Sequence, residues 1–291
     1  MKLFANRWWL GSRPRTLPAS IVPVAIGAGC AVGLGQVSWW RVVPALIVSL
    51  ALQVAVNYAN DYSDGVKGTD ENRVGPVRLV GSGLATPREV KSAAIVAFAV
   101  AAVAGLVLAL ATTLWLIPVG VACIAAGWFY TGGPSPYGYA GLGEIFVFTF
   151  FGLLATAGTT FVLSEKVTGL SLLAGATTGC LACALLVVNN LRDIPTDTLS
   201  GKRTLAVRIG DARTRNLYTS LAIGALGGVV VCAAIRQSAL IGVVGFVFAV
   251  GPIRSIRSGA TGQALIAVLG MTGRLQLWVG SLLALGLAVG S

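Results

Sequence analysis

The residues able to do chemistry in this chain gather in two short stretches. The first is Asn57-Tyr-Ala-Asn60-Asp61-Tyr-Ser-Asp64, with Asp70 six positions further on. Positions 57, 61 and 64 follow an i, i+4, i+7 spacing, which on a helix turns one amide and two carboxylates to the same face. The second is Asn189-Asn190-Leu-Arg-Asp193-Ile-Pro-Thr-Asp197. Here Asn190 or Asn189 shares a face with Asp193, and Asp197, lying beyond Pro195, is expected on a loop. Carboxylates held close together repel, by about 4 kcal/mol for a pair at roughly 4 Å in a dielectric of about 20. Such a group either keeps protons or holds a cation. The chain contains no His, and ligands that are all oxygen select a hard ion, Mg²⁺ before Ca²⁺. Two acidic patches facing one another suit a diphosphate held by about two Mg²⁺ ions.

Basic residues follow each patch: Lys67, Arg73 and Arg78 after the first, Lys202 and Arg203 after the second. They are placed to clamp phosphate oxygens that face away from a metal, with Asn57 and Asn190 as further polar contacts. A third stretch runs from Tyr130 through Gly132-Gly133-Pro134 and Tyr137 to Glu144. Its Gly and Pro content predicts a tight turn, and its tyrosines and Glu144 form a wall for an aromatic or cationic species.

The elements that must position these groups are membrane helices. Of 291 residues, 56% are hydrophobic and 11% charged. That excludes an ordinary soluble domain, where about a quarter of residues are charged, and it excludes a disordered chain. The net charge of +11 reflects basic loops beside an anionic membrane face and not a nucleic-acid partner. Nine apolar runs predict an all-α polytopic membrane protein with nine crossings in a single unit over 1–291. The runs are about 17–35, 41–60, 90–111, 114–130, 142–163, 170–191, 217–235, 239–251 and 275–289. The eighth is short and expected to end at Pro252. With the N-terminus inside, 18 basic residues fall on the inner side, and only Arg41, Lys166 and Arg236 on the outer, as positive-inside bias requires. Both acidic stretches then lie at the inner ends of even-numbered spans. Gly29/Gly33, Gly175/Gly179 and Gly224/Gly228 are spaced for close helix approach. The five cysteines lie in apolar runs, and Cys180-x-x-Cys183 has no second pair or His to make it a metal site.

These motifs resemble the UbiA superfamily of intramembrane aromatic prenyltransferases. The likeness lies in Asn60-Asp61-x-x-Asp64-x5-Asp70 and Asp193-x3-Asp197, and it extends over essentially the whole chain. Within the superfamily, the longer spacing to Asp70, Arg13-Pro-Arg15-Thr16-Leu17 and the Tyr130-to-Glu144 stretch are most similar to the polyprenyltransferases of 1,4-dihydroxy-2-naphthoate. The resemblance implies nine helices around a central cavity open sideways to lipid, in the plasma membrane, with the active site on the cytoplasmic side. It implies two Mg²⁺ ions on Asn57, Asn60, Asp61, Asp64, Asp70, Asp193 and Asp197, holding a polyprenyl diphosphate. Tyr130 and Tyr137 would shield the allylic cation. Arg13, Arg15 or Arg78 would hold the acceptor carboxylate, and the acceptor then loses CO₂ and a proton. Other acceptors of the superfamily (4-hydroxybenzoate, homogentisate, haem or a lipid) are the first alternative. An ion-coupled transporter is the second, disfavoured because transport sites lie near the bilayer midplane.

Overall fold

Every apolar run becomes a helix. The computed structural model describes residues 2–68, 75 and 77–290, with side chains from Arg7 onward, and among them there is no strand. In chain order the helices are α1 Lys2–Gly11, α2 Pro18–Ala31, α3 Val42–Val66, α4 Pro87–Ala111, α5 Leu116–Phe129, α6 Gly143–Ser164, α7 Gly169–Leu199, α8 Leu205–Ile209, α9 Asp211–Ile235, α10 Gln237–Arg257 and α11 Ala264–Val289. Seven of them are long and apolar enough to cross a membrane: α3 (extended by the turn at Trp39–Arg41), α4, α6, α7, α9, α10 and α11. α2 and α5 are shorter apolar helices. The chain is therefore a multi-pass membrane protein.

The starts of the helices follow local chemistry. At α4, Thr86 caps the Glu89 N–H while the Glu89 carboxylate returns to the Thr86 N–H, with Pro87 at the first helical position. Thr168 and Ser171 make the equivalent reciprocal pair at α7. Of the three basic residues set apart by the charge count, Arg41 and Arg236 serve helix C-termini, where carbonyls lack partners, and Lys166 ties down the turn that follows one. Arg41 donates to Ala111 and Val162 carbonyls at the ends of α4 and α6. Lys166 donates to the Leu34 carbonyl just after α2. Arg236 reaches Gly29, Val32 and Leu287 carbonyls at the ends of α2 and α11.

α7 is the central helix; it packs against α9, α11, α2 and α6. α3 and α4 form a pair on one side, and α10 lies along α11 on the other. Small residues set the spacing. A Cβ on Gly175 would come within 3.0 Å of Leu153 Cα in α6, and one on Gly179 within 2.7 Å of the Phe148 ring. Gly228 of α9 meets Thr177 of α7. The pairs 175/179 and 224/228 thus face α7's contacts, whereas Gly33 departs from expectation. It sits past the end of α2 with φ 81°, in a turn.

Three boundaries also differ from the sequence reading. Pro252 does not end α10. It lies in the first turn of the α-helical portion Val250–Arg257, where a missing N–H costs no helical bond. The preceding stretch Gln237–Ala249 is wound as a 3₁₀ helix, in which positions three apart eclipse. That lines up Ala239, Gly242 and Gly245, all buried, against α11. Finally α11 begins at Ala264, so Arg274 lies within the helix and not in a loop.

A Cβ on Gly245 would fall 2.7 Å from the Val279 backbone, whereas Gly227 has nothing within 4 Å. Gly245→Ala should lower thermal stability in detergent by an amount corresponding to about 1–3 kcal/mol, and Gly227→Ala should leave it unchanged or slightly raised. Equal melting temperatures for the two variants would contradict this packing.

Candidate active site

The bundle encloses a cavity of about 580 Å³. One end is polar and the rest mostly apolar, with Ser49, Gln53 and Thr159 interspersed. The polar end is built from the last turns of α3 and α7, the turn after α5 and the link between α7 and α8: Asn57, Asn60, Asp64, Asn189, Asn190, Asp193, Asp197 and Lys202 all line it. The two acidic stretches therefore meet at one place. Helix α7 runs through Pro195 to Leu199. Asp197 is accordingly not on a loop; it sits one turn beyond Asp193 on the same face.

Asp64 is buried at 4% exposure and is the hub. Its Oδ1 accepts from the Tyr139 hydroxyl at 2.6 Å and the Lys202 ammonium at 2.9 Å. Arg78 lies 3.8 Å from its Oδ2. The Tyr139 ring carries two ammonium groups, Lys67 and Lys202, each 4.7 Å from its centroid. Asn60 accepts from the Thr131 hydroxyl at 2.8 Å. Asp193 is gripped through both oxygens by Arg192, at 2.8 Å each. Arg13, in left-handed backbone conformation with φ 54°, reaches the cavity and donates to the Asn57 carbonyl at 3.2 Å.

A ladder of rings leads from this polar end into the apolar part. Tyr130 meets Tyr137 edge-on at 5.5 Å, Tyr137 stacks on Phe146 at 3.8 Å, and Phe146 on Phe150 at 5.9 Å. Loss of solvent at this wall holds both tyrosine hydroxyls well above the usual range; Glu144 adds to the effect at Tyr130. Both stay neutral π surfaces at physiological pH. Beyond them Val48, Leu52, Ile124 and Leu154 continue an apolar wall.

Several expected residues have other places. Asp61 is 1% exposed and turned from the cavity; its oxygens accept from the Leu79 and Val80 N–H groups at 2.7 and 3.0 Å. The face presented by α3 is thus 57, 60, 64, not 57, 61, 64. Asp61 instead pins the segment that carries Arg78. Glu144 does not form the wall: its Oε1 accepts from Asn190 at 3.0 Å, which aims the amide. Lys67 lies at the rim, donating to the Thr131 carbonyl. Arg203 is exposed, and among the described residues only its backbone is engaged, the N–H donating to the Tyr139 carbonyl and the carbonyl accepting from Arg208. Arg15 faces a separate groove on the outside of the bundle. Asp70 and Arg73 lie outside the described residues. Arg192, Phe146 and Phe150 belong to the site although the motif spacing did not single them out, whereas Tyr139, one of the tyrosines of the third stretch, carries cations on its ring as that reading expected. Arg192 had a signal, its adjacency to Asp193. The Phe pair had another, an i, i+4 spacing two residues after Glu144.

The donor set is hard oxygen, from Asp64, Asp193, Asp197, Asn57 and Asn60. Among the described residues no three acidic, Cys or His side chains form a ready-made metal cage. That fits Mg²⁺, which favours one or two carboxylates plus substrate phosphate and water over an all-protein shell.

The role found for Asp61 has a measurable consequence. Asp61→Asn places an amide NH₂ against one of two backbone N–H groups and should destabilise the protein by roughly 1–3 kcal/mol. Thermal unfolding in detergent checks this, with faster proteolysis between residues 77 and 86.

Residues 20–261 match the UbiA prenyltransferase family. The chain is 51% identical over 279 residues to the 1,4-dihydroxy-2-naphthoate octaprenyltransferase of Mycobacterium tuberculosis, covering 95% of this chain and 94% of that one. It is 38% identical over 226 residues to the enzyme of the same name in Escherichia coli, covering 75% and 73%. A UbiA homolog from Archaeoglobus fulgidus, solved bound to GPP and Mg²⁺, superposes with a TM-score of 0.68 at 14% identity, over 95% of this chain and 99% of that one. A helical bundle with paired Asn/Asp helix ends on one cavity, together with this identity along the chain, places the protein in the UbiA prenyltransferase family.

Proposed function

We propose that this protein transfers a polyprenyl group from a polyprenyl diphosphate to 1,4-dihydroxy-2-naphthoate, with loss of CO₂, giving demethylmenaquinol, the reduced form of demethylmenaquinone, in menaquinone biosynthesis. The observation that carries it is the meeting of Asp64 with Asp193 and Asp197 on one cavity whose remaining wall is aromatic and apolar. The acceptor assignment rests on relatives about half identical over nearly their whole length. In this reading all nine apolar helices cross the plasma membrane, the N-terminus is cytoplasmic and the polar end of the cavity faces the cytoplasm. With Arg274 inside α11 and not in a loop, 17 basic residues fall on the inner side against Arg41, Lys166 and Arg236 on the outer, and that bias supports the orientation.

Each group in the cavity then has a task. Asp64, Asp193 and Asp197, with Asn57 and Asn60, hold Mg²⁺, two ions in our reading. The metal supplies Lewis-acid neutralisation of the departing diphosphate. Lys202 and Arg78 bind phosphate oxygens, and Asn190, aimed by Glu144, adds a neutral donor. The preorganised cations stabilise negative charge as the allylic C–O bond breaks. Tyr130 and Tyr137 present ring faces to the carbocation left behind, and the apolar walls keep it from water. An electron-rich ring carbon of the naphthoate forms the new bond. Arg13, at the cavity edge beside Asn57, pairs with the acceptor carboxylate until it leaves as CO₂. Lys67 and Arg203 contribute charge from the rim.

In a purified assay with dihydroxynaphthoate and one polyprenyl diphosphate, the product mass should equal the two substrates less diphosphate and CO₂. Turnover should vanish with EDTA and return with Mg²⁺. Asp64→Asn and Asp193→Asn should each lower turnover by a factor of about 100 or more, as expected when a charge-stabilising group is lost. Wild-type rates in both variants, or activity indifferent to EDTA, would refute the reading; prenylation of a different aromatic acid alone would change the acceptor.

A further inference from the structure

We infer that the outer surface of the bundle carries a binding site for an anionic phospholipid, formed where the turn before α2 meets α11. The groove there is lined by Arg15, Pro18, Ile266, Ala267, Arg274 and Leu277. It is separate from the catalytic cavity, with which it shares no lining residue. The α11 residues of the groove, with Gly270 and Met271, are spaced three, four and seven apart, so they form one continuous face of that helix.

Three observations point to the ligand. First, both guanidinium groups are exposed, and neither makes a hydrogen bond or ion pair among the described residues. Arginine keeps its charge at any accessible pH. Second, Arg274 is ten residues into α11 (264 to 274), about 15 Å along the axis, on the same outward surface as Leu277 and Trp278, which are 40% and 47% exposed. A charged residue on the lipid side of a crossing helix is costly unless it reaches a polar partner at the interface. Third, the backbone makes the two arginines neighbours. Gly273 lets the Arg15 carbonyl approach so closely that a Cβ would lie 2.9 Å from it. Gly270, whose added Cβ would meet nothing within 4 Å, keeps the floor of the groove open. The result is a pair of positive forks above an apolar trough.

A phospholipid of the inner leaflet matches that pattern. Its phosphodiester accepts from both arginines, an acyl chain runs from Arg274 past Leu277 toward the bilayer centre, and Ile266, Ala267 and Gly270 line the groove on the head-group side. A net negative head group, as in phosphatidylglycerol, is favoured over a zwitterionic one because nothing acidic lines the groove to receive a choline or ethanolamine. The turn Pro14–Thr16 that presents Arg15 also follows Arg13, which donates to the Asn57 carbonyl in the cavity wall. A lipid held by Arg15 therefore braces the segment that positions Arg13. This inference rests on α11 crossing the membrane and is independent of the prenyl-transfer reading.

The test uses the full chain in neutral detergent. Phosphatidylglycerol should raise the melting temperature more than the same amount of phosphatidylcholine. The double variant Arg15→Gln/Arg274→Gln should lose that difference, and Arg15→Lys/Arg274→Lys should keep most of it. As a measurement that needs no variant, phosphatidylglycerol bearing a photoreactive acyl chain should label the wild-type chain on the outward face of α11 at Leu277, Trp278 and the turn beyond them. An equal response of wild type and the Gln double variant, labelling spread evenly over the outer helices, or masking of these residues by a second copy of the chain would overturn the site. Prenyl transfer can fail in the same preparation without touching this result.

Discussion

A buried carboxylate must be matched by charge and hydrogen bonds, and Asp64 is where this structure meets that requirement. Taking a carboxylate out of water costs several kcal/mol unless partners replace the lost hydration. At Asp64 the partners come from far away in the chain: Tyr139 lies 75 residues on, and Lys202, 138 residues on. Satisfying one oxygen therefore draws together the end of α3, the tyrosine turn after α5 and the link between α7 and α8. The secondary contacts follow. Lys67 and Lys202 flank the Tyr139 ring, and the Arg203 N–H binds the Tyr139 carbonyl. The polar end of the cavity is a consequence of this convergence.

The same constraint explains why the site is fitted for a charged, exchangeable ligand. Asp64 and Asp193 are neutralised by Lys202 and Arg192. Lys202 lines the cavity on a flexible stem, and in the proposed function it turns from Asp64 to phosphate, whereas the Arg192 side chain is fully buried and stays on Asp193. A preformed acidic cage would store repulsion; an alternation of carboxylates and cations stores little. Away from the polar end the walls are mostly rings and aliphatic side chains, with Ser49, Gln53 and Thr159 among them.

Much of the architecture could be read from composition and pattern. Helices occupy every predicted apolar run. The unequal distribution of basic residues marked Arg41, Lys166 and Arg236 as unusual; Arg41 and Arg236 cap the carbonyls of helix ends, and Lys166 holds the turn after α2. Both acidic stretches were visible as candidates for one site. Helix phase and continuity were less accessible. An error of one residue in the facing position exchanges Asn60 for Asp61, because adjacent residues lie about 100° apart around a helix of 3.6 residues per turn. Asp61 is drawn aside by the Leu79 and Val80 N–H groups, partners that no local pattern announces. Pro195 read as a helix end, yet α7 continues through it to Leu199.

By itself the sequence determined that this is a multi-helix membrane protein with two oxygen-rich stretches and the cations to match them, since those properties depend on residue type and short-range spacing alone. Only the tertiary structure decided which carboxylate faces the cavity, which serves the backbone, and that Arg13 and Arg15, two positions apart, point to different sites. Those choices are made by groups distant in the chain, and the physical reason is the same each time. A buried polar group goes to whichever partner the packed helices bring within hydrogen-bonding reach.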